Sequence, residues 1–86
     1  MTKKSVKIQL DGGLEARPIA VLVQVASQYE STVHLETEDK RVNAKSIMGM
    51  MSLGLDNGEN VTIVCDGTDE EKALEGIEKF LVGEAS

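Results

Sequence analysis

Hydrophobic and polar residues alternate along some stretches of this chain and follow a helical rhythm along others. Val6, Ile8 and Leu10 alternate with Ser5, Lys7 and Gln9, the period of a strand with one buried face. Asp11-Gly12-Gly13 then breaks the pattern. From Ala16 to about Tyr29, the residues Ile19, Leu22, Val23, Ala26 and Tyr29 recur at three- and four-residue steps. That spacing predicts an amphipathic helix, and Pro18 is tolerated because it falls in the first turn.

Thr32 to Thr37 alternates again, with Val33 and Leu35 on one side and His34 and Glu36 on the other. Glu38-Asp39 reads as a turn, and Lys40 to Asn43 as a short partner strand completing a hairpin. Ile47 to Leu53 predicts a brief helix, weakened by Gly49 and stopped near Gly54. After the turn Asp56-Asn57-Gly58 comes a strand from Val61 to Asp66, with Val61, Ile63 and Cys65 on one face. Gly67 to Glu71 starts a last helix, in which Thr68 and Glu71 have capping-box spacing. Its buried stripe is Ala73, Leu74, Ile77, Phe80 and Leu81. The order is βαββαβα. Apolar residues fill one side of each strand, so the helices should cover one face of the sheet and leave the other to water.

Eighty-six residues suit a single domain, 1–86, with one small core. With one Tyr, one Phe and no Trp, that core must be packed from aliphatic residues and Met. A net charge of −6 argues against direct binding to nucleic acid or an anionic membrane. The single Cys65 has no internal disulfide partner, and no His or Cys stands near it at metal-ligand spacing. The alternating start is unlike a signal peptide, and no run is long enough to span a bilayer. The expected setting is cytoplasmic. No metal cluster, cofactor motif, Walker loop or Ser-His-Asp grouping appears, so catalysis is not expected.

The most informative stretch runs from Asp39 to Gly54 and contains Lys45-Ser46-Ile47-Met48. Ser46 stands where a short helix would offer unpaired backbone N–H groups, beside a lysine. As a helix N-cap alone it would contribute about 0.5–2 kcal/mol. A phosphate there would add about −1.5 to −2 of charge at a position that favours anions. Ser46 therefore reads as a phosphorylation switch, a role compatible with capping. Ile47, Met48, Met50 and Met51 cannot all be buried by one short helix, so some must form an adaptable contact surface. Met50 is expected in the core.

The element order and this serine motif resemble the HPr phosphocarrier family of the bacterial sugar phosphotransferase system, over roughly Val6 to Leu81. The resemblance implies an α+β open-faced β-sandwich, with a four-stranded antiparallel sheet in the order 1-4-2-3 and three helices on one face. A second family motif, Gly-apolar-His-Ala-Arg-Pro, is present as Gly13-Leu14-Glu15-Ala16-Arg17-Pro18. Glu15 thus occupies the position of the phosphoacceptor histidine. Imidazole is neutral and nucleophilic near pH 7, whereas a carboxylate repels an incoming phosphoryl group. Histidine-type phosphocarrier activity is therefore not expected.

An intact serine with a missing histidine is similar to the Crh-type branch of the family, in which a glutamine holds that position. This resemblance implies a regulator of carbon catabolite repression, modified on Ser46 by an HPr kinase/phosphorylase-like enzyme. Its partners would then be a LacI-type, CcpA-like transcription factor or a metabolic enzyme. Arg17 matches the arginine that in the family flanks the phosphohistidine and contacts the partner in corepressor complexes, while Lys45 is either a solvated charge or an aid to kinase docking. A docking patch would combine Ala16, Ala20, Val21 and Gln24 with Ile47, Met48 and Met51. The rival readings are a phosphotransferase-system phosphocarrier and an enzyme-binding module that needs no phosphorylation. Monomer is the default; a family relative exchanges its first strand, so a dimer is compatible with the sequence. The only histidine, His34, is expected to face water on the open side of the sheet, away from this site.

Overall fold

The computed structural model describes residues 1–10 and 12–83. Seven elements follow in order: β1 (Thr2–Lys7), α1 (Ala16–Ser27), β2 (Thr32–Glu36), β3 (Arg41–Asn43), α2 (Ile47–Met51), β4 (Asn60–Asp66) and α3 (Glu70–Leu81). The four strands form one sheet in the order β1-β4-β2-β3, and every neighbouring pair is antiparallel. The predicted architecture and strand order are both observed.

Alternation decides which face is buried. Val61, Ile63 and Cys65 of β4 pair across the sheet with Val6, Lys4 and Thr2 of β1, and Ile63 and Cys65 pair with Leu35 and Val33 of β2. The apolar members of this face are buried. Ile19, Leu22 and Ala26 of α1 and Ala73, Ile77 and Leu81 of α3 cover it, and Met50 comes from α2. Lys4 points to the same side at the sheet edge, where its ammonium meets Glu78 of α3 at 2.7 Å. An inward lysine of this kind also blunts an exposed edge strand.

Several boundaries differ from the sequence reading, each for a tertiary reason. β1 begins at Thr2 and ends at Lys7, earlier than the alternation of Val6, Ile8 and Leu10 suggests. The long β4 pairs with the polar start of the chain. Beyond Lys7 the backbone leaves the ladder: Ile8 N–H donates to Glu59 at 2.9 Å and Gln9 N–H to the Leu81 carbonyl at 2.8 Å. The predicted break falls partly on Asp11, which lies outside the described residues. α1 stops at Ser27, and its end tightens as Tyr29 N–H donates to the Ala26 carbonyl. Tyr29, expected in the buried stripe, is therefore only half-buried. α2 ends at Met51, two residues short of Leu53.

The Thr68–Glu71 capping box does not form. α3 starts at Glu70 with Asp69 as its N-cap residue, and the Asp69 side chain makes no cap bond. It reaches instead across the fold, accepting the Glu30 N–H at 3.0 Å, the Ser31 N–H at 2.9 Å and the Ser31 hydroxyl. Thr68 donates to Glu30. Three donors on one carboxylate bind the end of α1 to the start of α3. Sequence spacing cannot reveal a contact between positions so far apart.

Those hydrogen bonds, led by the one from Ser31, hold the Asp69 carboxyl below its ordinary value of 3.8. Its stabilising effect is complete above that value and is lost as pH falls through the lower folded value. The urea midpoint should accordingly fall on acidification below pH ~4. Asp69→Asn should be less stable than wild type at pH 7 and lose less between pH ~7 and ~3, measured by urea titration followed by circular dichroism.

Candidate functional site

Two helix starts and the loops that lead into them form the site. The loop before α1 is positioned by Gly13, which has a φ of 76°. A Cβ there would lie 2.9 Å from the Asp56 Cα and 3.0 Å from the Leu55 carbonyl oxygen. Only glycine permits both this conformation and this approach. The next residue, Leu14, is buried and donates its N–H to that carbonyl at 2.9 Å. The loop carrying Glu15 is thus pinned to the segment between α2 and β4.

Glu15 is the N-cap residue of α1 in extended conformation, but its side chain caps nothing. It is exposed, and its carboxylate lies on the side of Gly12. Arg17 is exposed one residue into α1, whose first turn carries no acid. Among the described residues no ion pair includes Glu15 or Arg17. With no ion pair among the described residues, the guanidinium and the carboxylate are each available to another molecule.

Ser46 is the N-cap of α2, as the sequence predicts. Its Oγ accepts the Gly49 N–H at 3.2 Å, and its carbonyl accepts the Met50 N–H at 3.0 Å. The residue as a whole is half-buried. A Cβ at Gly49 would stand 3.4 Å from that Oγ, close to an ordinary van der Waals contact.

The two nearby lysines are already engaged. Lys45 donates its ammonium to the Tyr29 carbonyl at 2.7 Å, tying the segment before α2 to the end of α1. Its own N–H donates to the Asn43 side chain at 2.8 Å. Lys40 donates to the Ser52 carbonyl at 2.6 Å, just past the end of α2. Cations near helix C-termini satisfy otherwise unpaired carbonyls. The sequence showed these charges but not the carbonyls they meet.

The apolar surface divides as expected. Met50 is fully buried, while Ile47, Met48 and Met51 are 49%, 85% and 56% exposed. Val21 of α1 is 43% exposed. Ala16 and Gln24 are exposed and Ala20 is half-buried. α1 and α2 pack against each other.

The other reactive side chains lie elsewhere. His34 is half-buried on the opposite face of the sheet, where burial and then Arg41 lower its pKa. Its cross-strand neighbour Val64 is only 2% exposed although it lies on the face expected to be open. Lys3 and His34 stand on either side of it in the sheet. Cys65 is buried, and burial, followed by Glu70 and Asp69, pushes its thiol up to about 11. A thiol so protonated is not a nucleophile near neutrality. Among the described residues no group of His, Cys, Asp and Glu is placed to hold a metal ion. No described helix is long and apolar enough to cross a membrane.

The PTS-HPr family, described as the PTS HPr component phosphorylation site, matches residues 2–82. The HPr-like protein Crh of Halalkalibacterium halodurans is 43% identical over 81 residues, covering 94% of this chain and 96% of that protein. HPr-C-His from Thermoanaerobacter tengcongensis superposes with a TM-score of 0.90 at 40% identity, over the full length of both chains. Crh of Bacillus subtilis, a catabolite-repression protein crystallised as a swapped dimer, gives 0.81 at 44% identity, over 100% of this chain and 99% of that one.

Ser46→Ala should lower stability by about 0.5–2 kcal/mol, because the Gly49 N–H loses its acceptor. Gly13→Ala should cost more than about 1 kcal/mol, since positive φ and the close backbone approach act together. Urea denaturation of the two variants beside wild type measures both effects.

Proposed function

The chain belongs to the HPr family, and on that premise we propose that it is a regulatory member acting in carbon catabolite control. A kinase/phosphorylase of the type that modifies HPr transfers the γ-phosphoryl of ATP to Ser46. The phosphorylated chain then docks on a LacI-type, CcpA-like transcription factor or on a metabolic enzyme. The chain itself is a ligand for these proteins and not a catalyst. It acts in the cytoplasm, where ATP and such partners are found.

The observation that carries this reading is the setting of Ser46. This half-buried residue caps the start of α2, immediately before the exposed Ile47 and Met48. A phosphate there places a dianion at the rim of an apolar patch. The charge selects a basic or N–H-lined site on the partner, and the apolar side chains supply buried area. Arg17, free of intramolecular ion pairs among the described residues, offers the complementary charge for a partner carboxylate. Lys45 serves chiefly to fix the segment that presents Ser46, through its bond to Tyr29.

Glu15 closes the carrier route. Transfer through this position would require an acyl phosphate on a carboxylate that repels the incoming group, in place of a labile phosphoramidate. Its exposed negative charge instead marks the α1 side of the docking face.

With ATP and the kinase/phosphorylase, wild type should gain one phosphoryl group mapping to Ser46 by mass spectrometry, and Ser46→Ala should gain none. Phosphorylation should tighten binding to the CcpA-like factor by about tenfold or more, the effect of one charge-assisted hydrogen bond. Equal binding of modified and unmodified chain would overturn the switch and leave a constitutive module.

With phosphoenolpyruvate and enzyme I, wild type should take up no acid-labile phosphate, whereas Glu15→His should become labelled. Label on wild type would restore the phosphocarrier reading.

A further inference from the structure

α2 holds Met48, Met50 and Met51 within one and a half turns, yet the fold treats their sulfurs differently. Met50 is fully buried, whereas Met48 and Met51 are 85% and 56% exposed. The exposed pair is spaced i, i+3 and shares a helix face, immediately after Ser46. A thioether open to solvent is a two-electron reductant for hydroperoxides; one in a packed core is shielded from them.

We propose that Met48 and Met51 are a peroxide-sensitive modification site, whose oxidation opposes docking at the face that phosphorylation of Ser46 promotes. This inference rests on the docking reading given above. In the chemical step a sulfur lone pair attacks one oxygen of hydrogen peroxide. The S–O bond forms as the O–O bond breaks, and the departing hydroxide is protonated to water. Sulfur loses two electrons and the peroxide gains them, so thioether and peroxide become sulfoxide and water.

The consequence follows from where each side chain resides. In the free chain the new sulfoxides remain hydrated, so the fold tolerates them. In a docked complex they would have to be desolvated inside an apolar contact without assured hydrogen-bond partners, which opposes association. Oxidation therefore acts on binding and spares stability. Methionine sulfoxide reductases, one for each sulfoxide epimer, supply the reverse step. Buried Met50 serves as an internal control on the same helix. Met1, 67% exposed at the start of β1, serves as an accessible control away from α2.

The test uses the full chain phosphorylated on Ser46, treated with hydrogen peroxide, mapped by peptide mass spectrometry and titrated calorimetrically with the CcpA-like factor. Met48 and Met51 should acquire one oxygen each while Met50 stays reduced. Binding should weaken about tenfold or more, as expected for losing the burial of an apolar side chain. The urea midpoint should stay unchanged, and reductase treatment should restore binding. M48L/M51L, whatever its starting affinity, should bind equally before and after peroxide, despite oxidation of Met1. Undiminished binding by the doubly oxidised wild type would overturn the inference and leave the docking reading standing. A peroxide-induced loss of binding by M48L/M51L relative to its own untreated sample would also overturn it. Absence of binding by the untreated phosphorylated chain would instead overturn the docking reading, and this switch with it.

Discussion

Most of the sheet's apolar residues lie on one face, and two helices of twelve residues supply most of its cover, with Met50 of α2 added to them. Ile63 and Leu35 at its centre are fully buried beneath the stripes of α1 and α3. Once that layer is closed, little core surface remains for a third helix. α2 contributes Met50 inward and turns Ile47, Met48 and Met51 outward. The exposed patch is thus a consequence of how the core is filled. A five-residue helix beside two longer ones has more apolar side chains than the core can accept.

Polar contacts then fix how that patch is presented. Lys45 and Lys40 satisfy carbonyls near the ends of α1 and α2, while Asp69 gathers the turn between α1 and β2. Gly13 brings the loop bearing Glu15 against Leu55 and Asp56. Much of the charge near the site therefore orders backbone, and Arg17 stands out by making no such bond among the described residues. In this setting a dianion at Ser46 would change the local field strongly, because the neighbouring ammonium groups are already held elsewhere.

The sequence made much of this legible. Period-two and period-three-four patterns located all seven elements, since each exposes one face to water and one to the core. Ser46 was readable as a cap because a serine before a short apolar helix has few other local roles. Helical geometry required some of Ile47, Met48, Met50 and Met51 to face out, and the family resemblance pointed to Ile47, Met48 and Met51. The failures share a cause. The early start of β1 needs β4 as partner, the end of α1 involves the Tyr29 carbonyl and Lys45, and Asp69 serves Ser31 instead of its own helix.

Local periodicity by itself therefore determined the number, type and buried face of the elements, because amphipathicity is written into residue spacing. Family motifs added the strand order and the identity of the candidate site. Only the tertiary structure decided which charges remain free, why Gly13 must be glycine, and how deeply Ser46 sits. Those properties depend on atoms brought together from distant parts of the chain, and no spacing along the sequence encodes a distance through space.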